Sequence, residues 1–281
     1  MKPAGRDQPV PSGGVAVLGV PFDANSSFLR GPALAPARIR ETLASGAGND
    51  FTESGVGLDA RSDWADLGDL RLPDPTTAFD AIESEVDRIL AGGARPFILG
   101  GDHAITSPVL RACARHYAGL TVIHLHAHPD LYDALDGNRN SHASPFARAM
   151  ETIPDLRLVQ VGIRATTAHQ REQADRFGVR TVEMKDWYPG YPLDLSGPLY
   201  LSLDLDVLDP AFAPGVSHHE PGGMTTREVL GVLSQLPVPF IGADLVEFNP
   251  LRDPTGITAA VAAKLFKEIL GRLLAGPPSD P

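Results

Sequence analysis

Residues 120–130 read LTVIHLHAHPD, a short run of branched and apolar side chains that passes directly into alternating imidazoles and a carboxylate. A run of this length, rich in Val, Ile and Leu and bounded by a proline, is the pattern of a strand buried on both faces. Side chains alternate along a strand, so His126, His128 and Asp130 are expected to point together. Five more runs share this character, at residues 15–19, 96–99, 156–163, 199–205 and 238–246. Helical spacing fills the intervals at 36–44, 76–90, 107–117, 226–235 and 255–274, and Thr225-x-x-Glu228 has the form of a capping box. Strand and helix alternate throughout, which predicts an α/β fold: a parallel sheet with helices on both faces. No linker or repeat interrupts the pattern, so residues 1–281 are expected to form one domain. Residues 1–13 and 276–281, rich in Pro, Gly and Ser, are expected to be flexible tails.

In an open parallel sheet, ligands collect at the carboxyl ends of the strands. The residues just beyond these runs are chemically uniform. Gly100-Gly101-Asp102-His103 succeeds 96–99, His126, His128 and Asp130 succeed 120–125, Asp204 and Asp206 stand at the end of 199–205, and Glu247 comes directly after 238–246. His103, His126, His128, Asp130, Asp204 and Asp206 form an expected cluster of imidazoles and carboxylates. Buried carboxylates at that density repel one another unless a cation neutralises them. Mixed nitrogen and oxygen ligation suits Mn²⁺, Fe²⁺, Zn²⁺, Ni²⁺ or Co²⁺, and a bridging carboxylate allows a pair of ions. Taken singly, each histidine reads as a hydrogen-bonded core residue and each aspartate as a turn former. Their joint placement on one sheet edge decides for the metal. His124, two residues deeper, is read as a core histidine, His116 and His169 as solvent-facing on predicted helices, and Cys113 as a small hydrophobe. Asp209 is read as a turn former, and Arg164 stays open between loop support and a subunit contact.

Composition narrows the function classes. Lys+Arg 24 against Asp+Glu 35 gives a formal charge of −11, which leaves no cationic surplus for nucleic-acid phosphates. Hydrophobic residues at 43% and charged residues at 21% match a soluble globular chain, and the single cysteine excludes an internal disulfide and suits a reducing compartment. The opening MKPAGRDQPVPSGG has no apolar signal-peptide core, and no run reaches the ~18 apolar residues of a membrane helix. A cytoplasmic protein without membrane or nucleic-acid partners is expected.

Together GGDH at 100–103, HAHPD at 126–130, SHASPF at 141–146, SLDLDVLDPAFAPG at 202–215, EPGG at 220–223 and VEFNP at 246–250 resemble the ureohydrolase family of arginases and agmatinases. The stretch 20–40 is similar to the agmatinase-like branch. The resemblance runs from about residue 15 to 274 and implies a three-layer fold with eight parallel strands. It implies a two-metal centre, usually manganese, held by His103, His128, Asp130, Asp204 and Asp206. It further implies proton transfer by His142 beside the leaving amine, a substrate guanidinium on Glu247, and a homotrimer or hexamer. One position departs: His126 stands where the family has an aspartate that bridges the two metals. A neutral imidazole has one lone pair and cannot bridge as a carboxylate does, so terminal ligation by His126 and an empty second site both stay open.

The expected reaction is metal-dependent hydrolysis of a small, agmatine-like guanidino compound to an amine and urea, with Asp130 holding the attacking hydroxide. The alternatives are a single-metal amide hydrolase of the deacetylase kind, and a catalytically weakened binding or assembly subunit. Asn138, Asn140 and Ser141, and beyond them His218 and His219, are the expected contacts for the substrate's tail.

Overall fold

The computed structural model describes residue 5 and residues 10–72, 74–238 and 240–275. Residues 276–281 of the expected tails lie outside the described residues, as do residues 1–4 and 6–9. Within the remainder of the N-terminal stretch, Gly13 N donates to Gly93 O at 2.8 Å and Val10 packs on the core.

The chain alternates strand and helix: β1 (Val15–Gly19), α1 (Ala35–Ala44), β2 (Trp64–Asp69), α2 (Ala78–Ala91), β3 (Arg95–Leu99), α3 (Thr106–His116), β4 (Thr121–Leu125), α4 (Pro145–Thr152), β5 (Arg157–Ile163), α5 (Ala168–Phe177), β6 (Arg180–Glu183), β7 (Leu199–Asp204), α6 (Thr226–Gln235), β8 (Phe240–Val246) and α7 (Ile257–Leu274). The strands form one sheet of eight, ordered β2-β1-β3-β8-β7-β4-β5-β6, and every neighbouring pair is parallel. The six apolar runs are β1, β3, β4, β5, β7 and β8. The two strands without such a run are the edge strands. β2 carries Gly68 and two aspartates within WADLGD, and β6 is the four residues RTVE, so neither has the continuous apolar run of a strand covered on both faces.

Strand parity builds three layers. Phe97, Leu99, Ile123 and Leu125 face one cluster with Ile39, Val229, Phe266 and Ile269 of α1, α6 and α7. Ile98 and Val122 face the other, with Ile82, Val109 and Phe146 of α2, α3 and α4. Burial on both faces accounts for the unbroken apolar runs. The α2–α3–α4 side breaks its own rule in one row. In register across β5, β4, β7 and β8 lie Gln160, His124, Ser202 and Asp244, all completely buried. Polar groups in that position must satisfy one another, and they lie directly beneath the carboxyl-end cluster.

Candidate metal centre

Each strand end turns in a way that its own side chains dictate. After β3, Asp102 caps the short turn His103–Ile105 by accepting from Ala104 N at 3.1 Å. Gly101 just before it passes so close to the segment after β1 that a Cβ there would stand 1.8 Å from Phe22 O. After β7, Asp204 accepts from Asp206 N at 2.8 Å and opens the turn Leu205–Val207. Asp204 and Asp206 therefore meet through a capped turn, not through strand alternation as their spacing suggests. Asp130 and Glu247 sit at φ 51° and 63°, left-handed backbone that costs an L-residue about 1–3 kcal/mol and is kept where surroundings demand it.

These turns bring the expected metal-ligating residues together. His103 Nδ1 is 3.0 Å from Asp130 Oδ2 and 3.2 Å from Asp204 Oδ2. His126 Nε2 is 3.1 Å from Asp204 Oδ2 and from Asp206 Oδ1, and His128 Nδ1 is 2.9 Å from Asp206 Oδ2. His124 is fully buried, as a core histidine would be, and its Nε2 lies 2.9 Å from His126 Nδ1. A second pair flanks the cluster: His142 Nδ1 donates to Glu247 Oε1 at 2.8 Å, and that oxygen also accepts from His103 N at 2.9 Å.

The field at this edge favours positive charge. Burial disfavours a charged His128, but Asp206, then Asp130 and Asp204, outweigh it and push the imidazole up to about 9. Burial likewise opposes a charged His142, and Glu247, then Asp130 and Asp102, take it to about 9. Desolvation with the nearby Asp206 charge lifts Asp204 to about 6, and desolvation with the Glu247 charge lifts Asp102 to about 7. His124, walled in and next to His126 and His103, is held well below the usual imidazole range and is neutral.

A divalent cation fits this donor set. His103 Nδ1 and Asp204 Oδ2 are buried without a hydrogen-bond partner, although they face each other. Two orphaned donor atoms of metal-ligating type, converging with Asp130 Oδ2, are what an ion at that point requires. Ring nitrogens and carboxylate oxygens of His103, His124, His126 and Asp130 gather within 4.8 Å of one another, as do those of His126, His128 and Asp206.

The family model for the arginase family matches residues 13–271. The chain belongs to the arginase family. It is 45% identical over 276 residues to mitochondrial arginase 1 of Arabidopsis thaliana, covering 92% of this chain and 80% of that one. The arginase structure from Medicago truncatula superposes with a TM-score of 0.87 at 41% identity, covering 93% and 88%. A guanidinobutyrase of Pseudomonas aeruginosa is 35% identical, covering 91% and 85%. As an arginase-family protein the chain is a hydrolase of the ureohydrolase class, which acts on guanidino compounds.

The histidine and aspartate cluster of this arginase-family chain floors a cavity of about 430 Å³. Its wall includes Ser27, Tyr132, Leu135, His142, Thr166, Thr167, Gln170, His218 and Glu247. His218 is the one expected tail contact that reaches it. Asn138 and Asn140 are exposed: Asn138 Nδ2 donates to Asn25 Oδ1 in the segment after β1, and Asn138 Oδ1 accepts from Asn140 N within the loop. Ser141 is buried, with Oγ accepting from Ala143 N. His219 is exposed, and its Nε2 donates to Pro214 O at 2.6 Å in an adjoining depression that shares His128, Ser217 and His218 with the cavity. Asn138, Asn140 and Ser141 are not among the residues that line the cavity. Ser27, Thr166, Thr167 and Gln170 carry no such signal in the sequence, because hydroxyl and amide residues in loops are common. Arg164 supports a loop: its guanidinium donates to Glu220 O at 2.6 Å and to Asp206 O at 2.7 Å. Among the described residues no helix is long and apolar enough to cross a membrane.

Proposed function

We propose that this chain hydrolyses a small guanidino compound to urea and the corresponding amine at a divalent-metal centre held by His103, His128, Asp130, Asp204 and Asp206. The observation that carries it is the orphaned pair His103 Nδ1 and Asp204 Oδ2, set 3.2 Å apart beneath an open cavity. Divalent ions held there, manganese ahead of Zn, Fe, Ni or Co, would lower the pKa of bound water toward neutrality. Glu247 accepts the planar guanidinium through parallel N–H bonds and matches its charge. Asp130 orients the attacking group by a hydrogen bond. His142 holds a proton at Nδ1 against Glu247 and at Nε2 against Ser27 Oγ, 2.8 Å away, and gives one to the leaving nitrogen as the C–N bond breaks.

Arginine suits the cavity better than agmatine. Beyond the metal edge and Glu247 the lining residues carry no carboxylate, so the ammonium at the far end of agmatine meets no anionic partner. Tyr132, Thr166, Thr167 and Gln170 offer hydroxyls and an amide to a zwitterionic end. An acetylated amide would bring Glu247 no positive charge, which disfavours the deacetylase alternative. A homotrimer or hexamer in a reducing compartment completes the proposal, supported by the family and by the buried, unpaired Cys113. The test is urea release by Mn²⁺-loaded protein from arginine, agmatine and guanidinobutyrate. Arginine is expected to give the highest kcat/KM, and no urea from any of the three rejects the hydrolase reading.

A further inference from the structure

We propose that the Ser27 hydroxyl is a catalytic residue: it takes the proton of His142 Nε2 and hands its own to the leaving nitrogen of the guanidino substrate. The proposal rests on the hydrolase reading and names the atom through which His142 delivers its proton. Both ring nitrogens of His142 are engaged. Nδ1 lies 2.8 Å from Glu247 Oε1, and Nε2 lies 2.8 Å from Ser27 Oγ. A proton leaving through Nδ1 would pass to the carboxylate that holds the guanidinium and bring nothing to the leaving nitrogen. The way out is Nε2, and Ser27 Oγ stands on it.

Ser27 is built into that place. It lies on the segment after β1, and the two residues before it are tied to one carboxylate: Asp102 Oδ2 accepts from Asn25 N at 3.0 Å and from Ser26 Oγ at 3.3 Å. Asp102 is fully buried at the end of β3, so the anchor is rigid. Asn25 O accepts from His142 N at 3.2 Å, which ties the imidazole to the same segment. A ring held at its backbone and at both nitrogens does not swing toward a substrate, so the hydroxyl covers the last step. Ser27 Oγ has no other hydrogen-bond partner among the described residues, and Ser27 lines the cavity together with Glu247 and His142. A hydroxyl carries one proton and two lone pairs, so it accepts from Nε2–H while donating its own proton.

Glu247, His142 and Ser27 stand in the order carboxylate, imidazole, hydroxyl, which in a nucleophilic triad makes the hydroxyl attack. That role requires a neutral imidazole. Burial opposes a charge on His142, but Glu247, then Asp130 and Asp102, raise it to about 9, so near neutral pH the ring donates instead. As the C–N bond breaks, its electron pair goes to the leaving nitrogen. An N–H bond forms there at the expense of the Ser27 O–H, and a new Ser27 O–H forms at the expense of His142 Nε2–H. Urea departs with the oxygen that attacked, and His142 recovers a proton from water, so Ser27 is unchanged after each turnover.

The test compares wild type, Ser27→Ala and Ser27→Thr as full-length, Mn²⁺-loaded proteins on arginine and on canavanine, in which oxygen is bonded to the leaving nitrogen. That nitrogen is far less basic, so its departure depends less on a proton donor. General acid catalysis contributes about 10²–10⁴-fold, so Ser27→Ala is expected to lower kcat for arginine about a hundredfold, with KM within about threefold. For canavanine the expected loss is below about tenfold, and Ser27→Thr, which keeps the hydroxyl, is expected to stay within about fivefold of wild type on both. Equal losses on the two substrates, or a change in KM alone, would overturn the proposal by showing that Ser27 only shapes the cavity. Urea from wild type with an unaffected Ser27→Ala rejects the relay and leaves the hydrolase reading standing. No urea from wild type rejects that reading and the relay with it.

Discussion

At the scale of single residues, Glu247 and His142 divide the work of charge and proton. Replacing Glu247 by Gln removes the carboxylate assigned to the guanidinium, while the shape is kept. Hydrogen bonds to charged groups are worth about 1.5–3 kcal/mol each, so a bidentate loss is expected to lower kcat/KM for arginine roughly a hundredfold or more, measured by urea release. A loss below about threefold would mean that the guanidinium binds elsewhere. His142 carries a pH signature in the metal-free protein. Its folded-state value of about 9 lies above the ordinary 6.5, so the folded form binds the proton more tightly. Its contribution is present in full below about pH 6.5 and fades as the pH rises through about 9. Melting temperature is expected to fall more steeply across that window for wild type than for His142→Gln, and parallel curves would refute the assignment. The cluster was legible in the sequence because an imidazole or carboxylate at the end of an apolar run has no bland role there once its neighbours do the same. Ser27 was not legible: its role exists only through a hydrogen bond to His142, 115 positions away.

At the scale of elements, the strand ends are set by backbone constraints as much as by ligands. Gly101→Ala would drive a Cβ into Phe22 O, which also accepts from Asp102 N at 2.8 Å, so the turn carrying His103 must shift. A destabilisation of about 2–4 kcal/mol is expected for such a backbone clash, together with at least tenfold weaker Mn²⁺ binding by calorimetry. An unaltered affinity would show that the turn does not position His103. The six inner strands were legible because helices cover both of their faces. β2 and β6 were hidden because an edge strand needs no such run: β2 instead buries Asp66 against the Arg40 guanidinium at 2.7 Å. The row Gln160–His124–Ser202–Asp244 was equally hidden, since register across four strands is a property of the sheet and of no one segment.

At the scale of the whole molecule, a parallel sheet with both faces covered leaves its carboxyl edge as the place where polar side chains gather without breaking the core. Metal binding at that edge must stabilise the fold, because only the folded chain assembles the ligands. At a hundred times Kd the linkage is about 2.7 kcal/mol, and at roughly 2–4 °C per kcal/mol a chelator is expected to lower the melting temperature by about 5–10 °C. No change on chelation would indicate that the cluster does not bind metal in solution. The most direct measurement is an anomalous difference map from crystals grown with Mn²⁺ and recorded at the manganese edge. The account requires strong peaks bounded by His103, His128, Asp130, Asp204 and Asp206 at the floor of the cavity. A map with no peak there, while manganese density lies elsewhere on the protein, would contradict it.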